Sequence, residues 1–191
     1  MRLFVALDLD PEIRRRIAEF RDRMRALAPD VRWVSPETFH VTLQFLGETT
    51  KQDEIRAALA EIKAGVIALA FRGSGFFPAP KAPRVFWVGI EADEHLQQLA
   101  TRIGEALHPL GFEREAGPYR PHLTLARAGS GRPRHAPGDR ISSGLLALRV
   151  RLESQPAPEF GTMTAREFCL YESKLSPAGP SYTRLARYPL A

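Results

Sequence analysis

Apolar residues recur along the chain with two periods. Between Pro11 and Leu27, Ile13, Ile17, Phe20, Met24 and Leu27 return every three or four positions, with Arg14, Arg15, Arg16, Glu19, Arg21, Asp22, Arg23 and Arg25 among them. That spacing predicts an amphipathic helix with a solvated, mixed-charge outer side. Asp10-Pro11-Glu12 gives it a start: a capping acid, a proline in the first turn and a carboxylate near the positive end of the dipole. The same period predicts a helix over Asp93 to Leu107, through Leu96, Leu99, Ile103 and Leu107, and a shorter one capped by Thr49 or Thr50, carrying Ile55, Leu59 and Ile62 and ended by Gly65. Runs of β-branched, aromatic and alternating residues predict strands at Arg2 to Leu9, Val31 to Val34, Phe39 to Gly47, Val66 to Phe71, Gly75 to Phe77, Arg84 to Ile90, Tyr119 to Ala126, Leu145 to Leu152, Arg166 to Tyr171 and Tyr182 to Tyr188. The Pro-Ala-Pro-Lys-Ala-Pro segment after Phe77 reads as a hinge between lobes, and Ala128 to Arg140 is too rich in Gly and Pro to be regular.

Two of the strands carry the same short pattern, His40-Val41-Thr42-Leu43 and His122-Leu123-Thr124-Leu125, 82 positions apart. Alternate side chains of a strand share a face, so each motif sets an imidazole and a hydroxyl on one side and apolar residues on the other. A predicted helix precedes each motif, beginning 29 positions before its histidine. Matched pattern and matched surroundings predict an internal duplication, with one domain over residues 1–191 made of two pseudo-symmetric halves. A single such histidine would read as structural; a repeated polar pair is more than core packing requires.

Composition narrows the setting. A net charge of +5 and a pI near 9.8 favour an anionic partner such as nucleic acid or a nucleotide, although arginine-rich composition by itself also gives a merely solvated surface. One cysteine, Cys169, precludes an intrachain disulfide and points to the reducing cytoplasm, with a buried, inert thiol between Phe168 and Leu170. No signal-like or membrane-spanning apolar run is present. Zinc-ligand spacing, a Walker motif, a dinucleotide glycine pattern and a nucleophile elbow are all missing, so no metal or cofactor is expected.

Two imidazoles facing one groove can serve as general acid and general base near neutral pH. Two threonine hydroxyls beside them can hydrogen-bond anionic oxygens, a set suited to a phosphodiester. Arg127 is the cation for the phosphate, but parity puts it opposite His122 and Thr124, so the strand must end or bulge near Ala126 for it to reach. The same parity puts Phe45 and Tyr119 on the apolar side of their strands, and core packing is the expected role for both, as for Trp33 and Trp87; base stacking by Tyr119 is the lesser reading. Which histidine is acid and which is base is open at this level, because their settings are equivalent.

The paired motifs, with Arg120-Pro121-His122-Leu123-Thr124-Leu125-Ala126-Arg127 around the second, resemble the two-histidine phosphoesterases, specifically the bacterial and archaeal RNA 2′,3′-cyclic phosphodiesterases long called 2′-5′ RNA ligases. The resemblance extends through Arg2 to Leu7, Trp33-Val34, Phe45-Leu46-Gly47, Pro83-Arg84-Val85 with Trp87 and Gly89, Leu110-Gly111-Phe112, Leu170 to Ser173, and Gly179-Pro180 with Tyr182. It departs after Arg127, where the family has a short basic continuation. It implies an α+β, bilobal fold: two antiparallel sheets related by a pseudo-twofold, helices outside and a central cleft. It also implies metal-independent hydrolysis of an RNA terminal 2′,3′-cyclic phosphate to a 2′-phosphate, with weak reversible 2′-5′ ligation. His40 would be the proton donor, His122 the proton acceptor, and Thr42, Thr124 and Arg127 would bind the phosphate. The protein is expected to act as a cytoplasmic monomer on RNA 3′ ends or nucleotide 2′,3′-cyclic phosphates. Two other readings stay open: a phosphodiesterase of a small nucleotide metabolite, and a noncatalytic nucleotide or RNA-end binder.

Overall fold

The computed structural model describes residues 1–113, 118–129, 142–177 and 179–191. In chain order the elements are β1 (Arg2–Leu7), α1 (Pro11–Leu27), β2 (Arg32–Trp33), β3 (Val41–Glu48), α2 (Gln52–Ala60), β4 (Ile67–Phe77), β5 (Val85–Ala92), α3 (Glu94–Leu107), β6 (His122–Arg127), α4 (Ser143–Glu153), β7 (Glu159–Ala165), β8 (Glu167–Ser176) and β9 (Gly179–Pro189). They make two antiparallel sheets, ordered β3-β1-β8-β9 and β2-β6-β5-β4-β7. In each sheet a motif strand pairs with the strand that precedes it by one helix, β3 with β1 and β6 with β5. Behind that pair each sheet is completed by two further strands, β8 and β9 in one, β4 and β7 in the other.

The helices cover one face of each sheet. Phe20 of α1 meets Phe86 of β5 (6.2 Å between ring centroids) and Phe160 of β7 (5.2 Å), while α2 and α3 pack together and against β9 and β3. Leu3, Val5 and Leu7 of β1 belong to the main apolar core; Phe4 and Ala6, equally buried, turn to the other face of the same strand. That second face, away from the helices, is where the motif histidines lie.

Four expectations need correction. Leu145 to Leu152 lies in a helix, α4, rather than a strand: the run Leu148-Arg149-Val150-Arg151-Leu152 alternates, but Leu145 and Leu148 are buried three apart, Val150 is exposed, and the Ser142 hydroxyl accepts from the Leu145 amide (3.3 Å) as an N-cap. Residues 67–71 and 75–77 fall in one strand, β4, with an irregularity at Gly73, whose φ of 73° is left-handed. The Pro-rich segment is no hinge, because the strands it joins, β4 and β5, pair with each other. Thr49 does not cap α2; Lys51 holds the cap position and the Thr49 hydroxyl accepts from the Lys51 amide (3.1 Å). β7 was not anticipated. The Gly/Pro-rich stretch lies outside the described residues from 130 onward.

Candidate active site

Each motif histidine is anchored in the same way. His40 sits just before β3 and its Nδ1 is 2.7 Å from the Thr38 carbonyl; His122 opens β6 and its Nδ1 is 2.8 Å from the Arg120 carbonyl. A carbonyl oxygen only accepts, so Nδ1 donates in both rings and Nε2 is left outside that bond. Each ring also has aromatic walls. His40 packs on Phe4 (centroids 4.8 Å) and meets Tyr182 edge-on (5.2 Å, 84°). His122 meets Phe77 edge-on (5.0 Å, 85°), and Phe77 leans on Trp87 (5.0 Å). Trp87 lies so close over Gly75 that a Cβ there would run into the indole, which is why that strand position has no side chain.

Both motif strands then bulge at the same place. In β3, Ala6 pairs with Thr42 and Val5 with Gln44, leaving Leu43 extra; in β6, Trp87 pairs with Thr124 and Phe86 with Ala126, leaving Leu125 extra. The extra residue and its successor both face inward, Leu43 and Gln44 at 4% and 3% exposure, Leu125 and Ala126 at 0%. Parity is thereby reversed for the residues beyond each bulge. Arg127 comes onto the side of His122 and Thr124, as contact with a phosphate held there requires. Phe45 comes onto the side of His40 and Thr42, where it stands 51% exposed opposite Phe4, with ring centroids 6.0 Å apart. Phe45 is therefore not a core residue, contrary to the expectation from simple alternation.

The remaining candidates separate. Thr42 and Thr124 are half-buried, and among the described residues neither hydroxyl has a hydrogen-bond partner. The Tyr119 hydroxyl donates to the Thr42 carbonyl (2.9 Å), tying the approach to the second motif onto the first motif strand, and its ring packs on the core. Trp33 is likewise structural: Nε1 donates to the Ala28 carbonyl (2.8 Å) and the ring meets Phe86 edge-on (6.1 Å). Tyr182, which the sequence marked only as part of a resemblance, is a wall of the His40 site.

Three charged groups from different parts of the chain act on His40. Desolvation by burial holds its imidazole below the ordinary histidine value; the bond to Thr38 and the carboxylate of Asp8, at the end of β1, push the other way, and Arg127 and Arg14 add to the lowering. Asp8 is itself fixed by the Tyr171 hydroxyl (2.5 Å) and by Arg184 Nη1 (3.0 Å). Although Arg127 is exposed as a residue, desolvation of its guanidinium and the nearby Arg32 cation lower its pKa, with Tyr182 opposing them. Arg127 of one sheet thus lies within electrostatic range of His40 and Tyr182 of the other. Asp8, Glu167 and Cys169 present possible ligand atoms within 4.8 Å of one another, but Arg184 reaches both acids (3.0 and 3.7 Å) and supplies the positive charge there. Burial pushes the Cys169 thiol up to about 11, so it is inert at neutral pH.

The chain is similar to known proteins over nearly its whole length. The model of the 2′-5′ RNA ligase superfamily matches residues 9–174. An RNA 2′,3′-cyclic phosphodiesterase of Archaeoglobus fulgidus is 35% identical over 187 residues, covering 97% of this chain and 98% of the relative. One from Methanothermobacter thermautotrophicus is 31% identical over 194 residues, covering 100% and 99%. Among solved structures, E. coli LigT complexed with 3′-AMP superposes with a TM-score of 0.77 at 28% identity over 99% of this chain and 97% of that one.

Proposed function

The chain belongs to the 2′-5′ RNA ligase superfamily, and from that premise we propose that it hydrolyses the 2′,3′-cyclic phosphate at RNA ends to a 2′-phosphate, using His40 and His122 as the proton-transfer pair and no metal. The matched Nδ1 anchors carry this reading, because they leave two Nε2 atoms in equivalent settings. His122 Nε2 takes a proton from water as the water oxygen bonds to phosphorus. The P–O3′ bond breaks, and His40 Nε2 delivers its proton to the departing O3′. Thr42, Thr124 and the Arg127 guanidinium hold the nonbridging oxygens as charge builds on them. A 5′-hydroxyl in place of water would form a 2′-5′ linkage by the same proton transfers, which is the weak ligation. The enzyme acts in the cytoplasm as a monomer; among the described residues no helix is long and apolar enough to cross a membrane.

His40 is the acid in this scheme and must be protonated when substrate is bound, whereas burial favours its neutral form in the empty site. The anionic phosphate placed against it raises its pKa, in the same sense as Asp8. The rate falls above the pH at which His40 loses its proton. That limb should therefore lie at higher pH in kcat, which reports the complex, than in kcat/KM, which reports the free enzyme. Rates on adenosine 2′,3′-cyclic phosphate over pH, at low and saturating substrate and with a chelator present, test the scheme. Activity lost to the chelator and restored by zinc or magnesium would remove the metal-free mechanism; an alkaline limb that stays fixed or moves down on binding would exchange the roles of the two histidines.

Exposure of the Phe45 ring on the same face as His40 supports a role in stacking the terminal base. Base–aromatic stacking contributes roughly 1–3 kcal/mol, so Phe45→Ala should reduce kcat/KM on nucleoside cyclic phosphates about five- to a hundred-fold. A cyclic phosphate of ribose without a base should be turned over equally by wild type and variant. Equal losses on both compounds would assign Phe45 to support of Phe4 and His40 instead.

A further inference from the structure

At the outer end of the site two arginines stand directly opposite each other. Arg32 of β2 is the cross-strand partner of Arg127 of β6, and β2 is only two residues long, so this like-charged pair is one of the two cross-strand pairs of the edge strand. Like charges facing across a ladder destabilise it. Among the described residues neither guanidinium has a carboxylate or side-chain hydrogen-bond partner to relieve the repulsion. Cross-strand partners share a face, so Arg32 lies on the side to which the bulge at Leu125 brings Arg127, one strand further from His122. Its partner in β2, Trp33, turns inward to Phe86, leaving Arg32 outward and exposed. A second cation, with no carboxylate partner among the described residues and one strand spacing of about 4.8 Å beyond the first, calls for a second anion.

The substrate chemistry supplies one. A 2′,3′-cyclic phosphate is the 3′ end of an RNA, and the rest of the chain leaves through O5′ of the terminal ribose to the next phosphodiester. With the reacting phosphate on Arg127 and the base toward Phe45 on the other sheet, the backbone has the β2 edge of the second sheet as its exit. We propose that Arg32 binds this penultimate phosphodiester and makes the enzyme select RNA ends over mononucleotide cyclic phosphates. The inference rests on the functional reading above and adds a substrate class to it: at least two nucleotides, with an ionised internal linkage.

Three compounds separate the possibilities: adenosine 2′,3′-cyclic phosphate, the dinucleotide ApA ending in a 2′,3′-cyclic phosphate, and the same dinucleotide with an uncharged methylphosphonate linkage. Wild type should prefer the charged dinucleotide in kcat/KM. Arg32→Gln should lose about ten-fold or more on it, the size of a charge-assisted contact, and less than three-fold on the other two, with Arg32→Lys restoring part of the loss. Counterion release predicts that the dependence of log kcat/KM on log salt becomes shallower by about 0.7 for the charged dinucleotide only. Equal losses on all three compounds would place Arg32 on the reacting phosphate or in the fold, and no loss on the charged dinucleotide would remove it from the substrate; either overturns the proposal. If wild type turns over none of them, the functional reading fails by itself. Binding of the 2′-phosphorylated ApA product and its methylphosphonate analogue, compared between wild type and Arg32→Gln, then decides the phosphate contact, with selective weakening of the charged ligand expected and equal affinity overturning it.

Discussion

Replacing either motif histidine by alanine should lower kcat on a 2′,3′-cyclic phosphate by about 10²–10⁴-fold, the usual contribution of one positioned proton-transfer group. The double variant should lose less than the product of the two single losses. Once the acid is gone the leaving oxygen departs unprotonated whatever the base does, so the second deletion removes a group that has little left to act on. His40 is half-buried between Phe4 and Tyr182, so its removal also opens a cavity against two aromatic rings. Binding of a 2′-nucleotide to each variant separates that effect from chemistry: retained affinity with lost turnover is the expected result. Wild-type rates in His122→Ala would end the two-histidine mechanism. Thr42→Ala and Thr124→Ala should each cost less than loss of either histidine, about ten-fold, near the low end of a hydrogen bond to a charged group at roughly 1.5 kcal/mol, because water or Arg127 can take the place of the hydroxyl.

Arg127→Ala should be nearly as damaging, about 10²–10³-fold in kcat/KM, because it removes a preorganised cation from oxygens whose charge grows in the transition state. Arg127→Lys should recover only part of this, as an ammonium keeps the charge and loses the planar two-pronged donor. The same change should be visible at the other motif. Burial is the main cause of the lowered His40 pKa and Arg127 adds to it, so removing the Arg127 charge should raise it, and NMR titration of His40 in Arg127→Ala should show proton loss at higher pH than in wild type. A His40 titration that does not move would mean that the Arg127 charge is not felt between the two sheets.

The contribution of sequence is clearest at the bulges. Arg127 was legible because its residue type demanded a place at the phosphate, and that demand exposed the conflict with strand parity. Phe45 occupies the equivalent position of the first motif, five residues after its histidine, and the same bulge turns it outward. An apolar residue on the apolar side raised no conflict, so its exposure went unseen; applying the second motif's bulge to the first would have found it. The Nδ1 anchors had no signal at all, since any residue at positions 38 and 120 supplies a carbonyl.

What the sequence by itself determined is what repeats locally: the period of α1 and α3, the strand character of the two His-x-Thr segments, the alternation that pairs each imidazole with a hydroxyl, and the family those motifs resemble. Long-range pairing decided the rest. β8 and β9, at the far end of the chain, complete the sheet of β1 and β3 and bring Tyr182 against His40, and β2 pairs with β6 rather than with a chain neighbour, setting Arg32 opposite Arg127. Such pairings are settled by which edges and apolar faces remain to be covered once the whole chain is present. Side-chain periodicity reports only which face of a strand is apolar, so it leaves the choice of partner strand to the tertiary structure.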